Sequence, residues 1–112
     1  MGRERRLGDF EELVLLACLR RGTEAYTVSI AEEIEDRTGR EVVHAAVYVT
    51  LRRLEEKGLV TSELGDGTPE RGGRPKRFFR VLPAAIPLLE EARDELLSMW
   101  EGLGDLEPST GA

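Results

Sequence analysis

Residues 44–64 read HAAVYVTLRRLEEKGLVTSEL, and this stretch changes from a helical to an extended pattern at one glycine. A helix is predicted over residues 44–57, because apolar side chains recur there at spacings of four and three and so share one face. These side chains are Val47, Leu51 and Leu54. Gly58 then provides a natural helix end, and residues 59–64 have the composition of a strand. A helix that leads directly into a strand is therefore the centre of the predicted fold.

A second strand is predicted over residues 76–82, after the loop GDGTPERGGRP at residues 65–75. The four glycines and two prolines of that loop indicate an exposed, mobile connection between paired strands. Side chains alternate along a strand, and we favour the face of Phe79 and Val81 as the inward one. Phe78 lies on the other face, and three surroundings stay open for it: solvent, the C-terminal helix or a partner subunit.

Two more helices are predicted ahead of residue 44. Asp9, with Glu12 three residues later, has the pattern of a capping box at the start of the first helix, which should end near Gly22. The second helix spans residues 26–38. Three helices followed by a two-stranded hairpin form the winged helix-turn-helix plan, a mainly α fold with a small β-hairpin (α+β). In that plan the helix at residues 44–57 enters the DNA major groove as the recognition helix, and the loop at residues 65–75 is the wing.

Beyond the hairpin, apolar residues follow a heptad pattern that keeps them on one side of a long helix. The positions are Leu82, Ala85, Leu89, Ala92, Leu96, Met99 and Leu103. Such a seam can pack against a partner helix, so residues 83–104 are predicted to be a dimerisation helix, separate from a DNA-binding domain at residues 1–82. The side chains expected at the dimer interface are Leu89, Ala92, Leu96, Met99 and Leu103.

The two ends of this last helix are less regular. Pro87 would cost a hydrogen bond if the helix already ran through it, which places the start of the regular helix nearer Pro87. Residues 105–112 are expected to be a disordered tail.

The charge of the chain is unevenly distributed. The 112 residues are enough for one compact domain and carry a formal net charge of -6. Residues 44–82 contain eight basic and five acidic side chains, a local charge of +3, so the remainder carries -9. An acidic protein with one basic region is expected to turn that region toward a polyanion. Double-stranded DNA is the polyanion that the winged helix-turn-helix plan predicts.

The composition argues against an enzyme and against a membrane protein. A single His and a single Cys cannot form a metal cage or a disulfide framework within one chain. No catalytic residue, metal site or cofactor is therefore expected, and Cys18, in an apolar run, is interpreted as a small core residue. No apolar run reaches the roughly 20 residues of a membrane span, and a reducing, cytoplasmic setting is expected.

Four stretches resemble the PadR-like transcriptional regulators, specifically the short type with one C-terminal helix. They are LGDFEELVLLACL, AYTVSIAEEIEDRTGREV, AAVYVTLRRLEEKGLV and TPERGGRPKRFFRVLPAA, which cover residues 7–85 with little interruption. The resemblance implies a homodimer that binds DNA through the winged helix and represses nearby genes. The chain departs from the family pattern at Thr27, where glycine is common, and at residues 82–85, where the family often has Thr-Pro-x-Gly. The second departure removes a side-chain cap and leaves the start and angle of the last helix open.

The predicted DNA contacts come from the recognition helix and from the wing. Tyr48 is expected to reach a phosphate through its hydroxyl, a role that the resemblance implies, while Arg52 and Arg53 are the candidates for polar contact. The basic residues of the wing are assigned to the DNA backbone or the minor groove, because Arg and Lys neutralise phosphates. These residues are Arg71, Arg74, Lys76 and Arg77.

Two further hypotheses concern partners other than DNA. Leu97 and Trp100 lie near the end of the seam, where they either pack in the dimer interface or line a pocket for a flat, small apolar effector. The resemblance suggests release by an environmental or small-molecule signal. As an alternative, the winged helix would serve as a protein-interaction module without DNA binding, with the acidic surface outside residues 44–82 as its working face.

Overall fold

The computed structural model describes residues 6–65 and 75–110, and its elements follow the predicted order. Three helices are followed by a two-stranded antiparallel hairpin and a fourth helix. They are α1 (Asp9–Arg21), α2 (Thr27–Thr38), α3 (His44–Glu56), β1 (Val60–Leu64), β2 (Arg77–Val81) and α4 (Ala85–Trp100), with a 3₁₀ turn at Gly22–Glu24 after α1. The prediction of a mainly α winged helix fold with a small β-hairpin is confirmed.

The first helix begins one residue earlier than its capping pattern predicted. The N-cap is Gly8, and the N–H of Gly8 donates to the carboxylate of Glu11 at 2.8 Å. The predicted pairing of Asp9 with Glu12 is therefore wrong. Glu11 takes the capping position because its other carboxylate oxygen is held by the ammonium of Lys57, at 2.8 Å, a contact that only the folded chain provides.

The second helix also has a cap that the sequence did not reveal. Tyr26 is the N-cap residue, and its N–H donates to the hydroxyl of Ser29 at 3.0 Å. That hydroxyl in turn donates to the carbonyl of Glu24 at 2.7 Å, so it joins the 3₁₀ turn to the start of α2. The helix ends at Gly39, whose φ of 75° is the left-handed conformation that glycine adopts without strain.

The junction between α3 and β1 is a Schellman turn. Lys57 is the C-cap, Gly58 has a φ of 78°, and the N–H of Gly58 donates to the carbonyl of Glu55 at 3.0 Å. The N–H of Leu59 reaches back to the carbonyl of Leu54 at 2.9 Å. These two bonds satisfy carbonyls that the end of a helix leaves without partners. The turn sends the chain directly into β1, as the change of pattern at Gly58 predicted.

The hairpin pairs Val60 with Val81 and Leu64 with Arg77 at its two ends. Phe79 is buried and Val81 is half-buried, so the inward face is the one that we favoured. A third segment pairs with β2, which was not predicted. The N–H of Phe79 donates to the carbonyl of Ala25 at 2.8 Å, and Tyr26 forms a β-bridge with Phe78.

The surroundings of Phe78 differ from the three that the sequence left open. Its ring meets the ring of Tyr26 edge to face, with centroids 5.7 Å apart and an interplanar angle of 69°. Phe78 is half-buried, and it packs against the segment that precedes α2. This contact fixes the base of the hairpin to the helical part of the fold.

One apolar core lies under the three helices and the hairpin. Its completely enclosed side chains come from every helix of the winged domain and from β1, and the largest are Leu15, Ile30, Leu51, Leu54, Val14, Val47 and Val60. The predicted apolar face of α3 therefore points into the core. The opposite face of α3 is left in solvent, which is the arrangement that a recognition helix requires.

The fourth helix begins at Ala85 and ends at Trp100, within the predicted bounds of 83–104. It starts two residues before Pro87, so the prediction of a start nearer Pro87 is wrong. Pro87 is the third residue of the helix, where a backbone N–H would have had no partner within the helix, and its presence there costs no hydrogen bond. Within residues 6–65 and 75–110, no helix has both the length and the apolar composition that crossing a membrane requires.

Candidate nucleic-acid interface

The solvent-facing side of α3 presents a mixed polar and apolar surface. Tyr48 and Val49 are large exposed side chains at its centre, and Arg52 and Arg53 are exposed at its C-terminal half. All four lie opposite the buried stripe of α3 because the helix repeats every 3.6 residues. The structure therefore places the three predicted helix contacts, Tyr48, Arg52 and Arg53, on one accessible surface.

Arg52 lies in a row of side chains along α3. Its guanidinium carbon is 6.0 Å from the centre of the Tyr48 ring, one turn before it. On its other side, Nε is 3.7 Å from a carboxylate oxygen of Glu55, which is an ion-pair distance but too long for a hydrogen bond. The guanidinium thus has neighbours on both sides and still offers its remaining N–H groups to solvent.

Arg77 of β2 lies next to the end of α3 and is already hydrogen-bonded within the protein. Its Nη1 donates to the hydroxyl of Ser62 on β1 at 3.0 Å, and that hydroxyl donates to Glu55 Oε2 at 2.8 Å. Ser62 and Arg77 share one face of the hairpin, because Arg77 is two residues from Phe79, the partner of Ser62 in the register. The predicted helix residue Arg52 is therefore linked to the Glu55 carboxylate directly, and the predicted wing residue Arg77 is linked to it through Ser62.

Lys76 occupies a different environment from Arg77. Its ammonium is 4.5 Å from the centre of the Tyr26 ring, a cation–π distance, and the residue is exposed. Tyr26 in turn supports Phe78, so Lys76 stands at the base of the hairpin. The other two predicted wing contacts, Arg71 and Arg74, and most of the loop at residues 65–75 lie outside the described residues.

Two residues of this surface, Glu55 and Ser62, were not among the predicted site residues. Their connection depends on the angle between α3 and the hairpin, which the sequence pattern does not encode. The sequence contains only a weak signal for this connection, because the hairpin register must be known before Ser62 and Arg77 can be assigned to the same strand face.

The predicted dimer seam divides into a buried and an exposed half. Ala85 and Leu89 are packed into the core of the single chain, with Leu89 only 9% exposed, and Ala92 is half-buried. Leu96 is 62% exposed and Met99 is 73% exposed. Leu103 is also exposed and lies beyond the end of α4. The first half of the seam therefore packs α4 against its own chain, and the second half forms an apolar surface that is exposed to solvent.

The N-terminal end of the described chain supports α4. Arg6 forms a bidentate ion pair with Glu95, with one N–O distance of 3.0 Å. A cleft of about 210 Å³ lies beside this pair, and its lining includes Leu7, Leu88 and Leu96. Leu97 and Trp100, the predicted effector residues, are both exposed on the single chain.

Cys18 is a core residue, as interpreted from the sequence. It is buried, its Sγ donates to the carbonyl of Phe79 at 3.5 Å, and burial raises the pKa of the thiol to about 11. A thiol with so high a pKa is protonated at neutral pH and is a poor nucleophile. Among the residues that the structure describes, no group of three His, Cys, Asp or Glu side chains could hold a metal ion.

Comparison with known proteins identifies relatives of the whole winged helix. The family model of the PadR-like transcriptional regulators matches residues 15–84. None of the curated proteins matches this chain at a significant level. Among solved structures, a PadR family transcriptional regulator from Eggerthella lenta DSM 2243 is 27% identical, with a TM-score of 0.68 over 93% of this chain and 86% of its own.

Two more distant structures share the fold. A PadR family transcription regulator from Clostridium difficile R20291 is 20% identical, with a TM-score of 0.64 over 84% of this chain and 94% of its own. Bordetella bronchiseptica BpsR, whose DNA binding is regulated by 6-hydroxynicotinic acid, is 19% identical, with a TM-score of 0.64 over 94% of this chain and 71% of its own. The family match spans α2, α3 and the hairpin, and so includes α3 and β2, the elements that carry the exposed basic side chains. The chain belongs to the PadR-like family of transcriptional regulators.

Proposed function

We propose that this regulator is a sequence-specific, homodimeric repressor that binds double-stranded DNA in the cytoplasm and is released by an environmental or small-molecule signal. The observation that carries the proposal is the exposed surface of α3. Tyr48, Arg52 and Arg53 lie there opposite the core, and Arg77 of the hairpin is held beside them. Helix and hairpin together thus offer one basic surface to a duplex.

In this proposal α3 enters the major groove, whose width of about 12 Å admits one helix. Arg52 and Arg53 contact base edges or phosphates, and the hydroxyl of Tyr48 contacts a phosphate. The basic wing residues neutralise phosphates alongside the groove or in the adjacent minor groove. They are Arg71, Arg74, Lys76 and Arg77.

The dimer is proposed from the exposed half of the α4 seam. An apolar surface that includes Leu96, Met99 and Leu103 is unfavourable in water and is suited to a second copy of the same helix. Ala92, which is half-buried, lies at the inner end of that surface, whereas the predicted interface residue Leu89 is packed in the core of its own chain and adds little to it. Two copies would place two recognition helices on half-sites about one helical turn apart, roughly 34 Å.

The effector site is proposed at the outer end of α4. Leu97 and Trp100 are exposed there, and an exposed Trp beside Leu offers a flat apolar surface to an aromatic ligand. The fold relative BpsR, whose DNA binding is regulated by 6-hydroxynicotinic acid, is a precedent for a small-molecule signal. Binding at α4 would change the spacing of the two recognition helices and so the affinity for paired half-sites.

A salt series of gel shifts on a duplex recovered by genomic footprinting tests the DNA-binding proposal. With 6–10 phosphate contacts per dimer, affinity should fall by about 10³–10⁵ between 50 and 200 mM salt. The double variant Arg74→Ala/Arg77→Ala should bind more weakly and with a shallower salt dependence. Arg93→Ala, which removes a positive charge on α4, is the control and should leave both quantities unchanged.

Two outcomes would contradict parts of the proposal. If the double variant kept the affinity and salt dependence of the wild type, the wing would have no part in binding. If the wild type bound no duplex at low salt and instead co-purified with a protein, the protein-interaction module would be the better explanation.

A further inference from the structure

The two adjacent glutamates at the end of α3 have different surroundings. Glu55 has a side chain 29% exposed and interacts with Arg52 and Ser62. Glu56 is exposed, and among the described residues it has no hydrogen-bonding or ion-pair partner. Both carry one negative charge on the same turn of a helix that is proposed to face DNA. Simple electrostatics would therefore predict that removing either charge strengthens DNA binding.

The contacts of Glu55 form a chain of hydrogen bonds with a fixed direction. A serine hydroxyl has one hydrogen to donate and two lone pairs to accept. The hydroxyl of Ser62 donates its hydrogen to Glu55 Oε2 at 2.8 Å, which leaves its lone pairs turned to Arg77 Nη1 at 3.0 Å. A carboxylate cannot donate in return, so Glu55 determines the orientation of the hydroxyl and, through it, that of the Arg77 guanidinium.

The other carboxylate oxygen of Glu55 faces the helix. Oε1 is 3.7 Å from Nε of Arg52, and within the described part of the chain it accepts no hydrogen bond. Arg52 is thereby drawn to one side while the Tyr48 ring limits it on the other. One carboxylate thus restrains an arginine of the recognition helix and an arginine of the hairpin.

We propose that Glu55 is a positioning residue of the DNA-binding surface, which holds Arg52 directly and Arg77 through Ser62 in the orientation that a duplex requires. This inference rests on the proposed DNA-binding function. Long arginine side chains lose rotamer freedom when they bind phosphate, and a side chain already held in place loses less. The gain from ordering two arginines is expected to exceed the repulsion between one carboxylate and the phosphates.

The test compares Glu55→Ala with Glu56→Ala, since each removes one carboxylate from the same turn of α3. Binding to the footprinted duplex is measured by gel shift over a salt series, and folding by circular dichroism melting. Glu56→Ala should bind as tightly as the wild type or more tightly. Glu55→Ala should bind about tenfold more weakly, the effect of losing one hydrogen bond to a charged group. Its salt slope should be smaller by about 1, the value of one lost phosphate contact.

Two serine variants separate positioning from charge and from stability. Ser62→Ala breaks the connection to Arg77 without changing any charge and leaves the contact of Arg52 with Glu55 in place, so it should reduce affinity and salt slope in the same direction as Glu55→Ala but by a smaller amount. Ser62→Thr keeps a hydroxyl and should restore both toward wild-type values. If Ser62 only stabilised the fold, its replacement would not change the salt slope, and Ser62→Thr would have no slope to restore.

The outcomes distinguish this inference from the proposed function. If the wild type binds DNA and Glu55→Ala matches or exceeds Glu56→Ala in affinity, the positioning role is overturned while DNA binding stands. Wild-type affinity and slope in Ser62→Ala would overturn the connection through Ser62. A wild-type protein that binds no duplex at low salt would overturn both.

Discussion

Glu11 is a carboxylate that the fold encloses, with only 7% of the residue exposed. Burial favours its neutral form, but the hydrogen bonds from Lys57 and the Gly8 N–H, with the positive charges of Lys57 and Arg53, outweigh that effect. The pKa of Glu11 is therefore lowered from its ordinary value of 4.5. The charged form of Glu11 caps α1 and ties it to the end of α3, so the orientation of the recognition helix depends on this ion pair.

Replacing Glu11 with Ala should lower the free energy of unfolding at pH 7 by about 1–3 kcal/mol, because Lys57 and the Gly8 N–H lose their acceptor. A group with a lowered folded-state pKa stabilises the protein above its unfolded-state pKa, and that stabilisation is lost as the pH falls through the folded-state value. The difference between wild type and variant should accordingly shrink below pH 4.5. Urea unfolding at a series of pH values measures it.

Glu12→Ala is the control for this prediction, since Glu12 is the acid that the sequence pattern had placed in the capping box. Burial, followed by repulsion from Asp9 and Glu95, raises the pKa of Glu12, so its charged form does not stabilise the fold. The variant should be at least as stable as the wild type at pH 7. Equal destabilisation by the two variants would show that the side-chain volume, and not the ion pair of Glu11, is what matters.

The junction of α3 and β1 is the element on which the geometry of helix and hairpin depends. Gly58 has a φ of 78°, and a side chain added there would meet no atom within 4 Å, so the cost of a substitution is backbone strain alone. Gly58→Ala should lower the free energy of unfolding by about 1–2 kcal/mol, the cost of a left-handed conformation for a residue with a Cβ. Urea unfolding provides the measurement.

Gly8→Ala is a matched control for Gly58→Ala. Gly8 has a φ of -75°, which any residue adopts, and an added Cβ would be at an ordinary distance of 3.7 Å from Glu11. Its replacement should cost less than that of Gly58. If Gly58→Ala were no less stable than Gly8→Ala, the turn would be free to take another conformation.

The features that depend on a few neighbouring residues could be predicted from the sequence, and those that depend on contacts between distant segments could not. The apolar face of α3 and the turn at Gly58 are encoded within a few residues, and both were predicted. The edge contact of Ala25 and Tyr26 with β2 joins segments about 50 residues apart, which no periodicity reveals. The same holds for the contact of Ser62 with Glu55, because it requires the packing angle of the hairpin on α3.

The heptad of α4 was predicted to be a dimer seam, but its two halves have different surroundings in the single chain. A periodic apolar seam predicts that its side chains are buried, but it does not indicate whether they pack against the same chain or against a partner. Ala85 and Leu89 are buried against the same chain, and Leu96 and Met99 are exposed. Only the three-dimensional structure separates the half that packs within the monomer from the half that is exposed to solvent.

Charge is distributed over the molecule as unevenly as exposed apolar surface is distributed along α4. The region of residues 44–82 carries +3 and the remainder -9. Repulsion between DNA phosphates and the acidic remainder favours approach through α3 and the hairpin. A second copy joined through α4 would present a second basic surface to the same duplex, and binding through two surfaces raises the effective affinity.

Leu96→Glu should abolish the proposed dimer while leaving the monomer folded, because Leu96 is 62% exposed in the single chain. Burying an unpaired carboxylate between two copies costs several kcal/mol, so the dissociation constant of the dimer should rise by about 100-fold or more. Light scattering and sedimentation at micromolar concentration measure the change, and circular dichroism reports the fold. Ser98→Glu adds the same charge to the opposite side of α4 and should remain a dimer. A wild-type protein that is monomeric at these concentrations, or a Leu96→Glu variant as dimeric as Ser98→Glu, would remove α4 from the assembly.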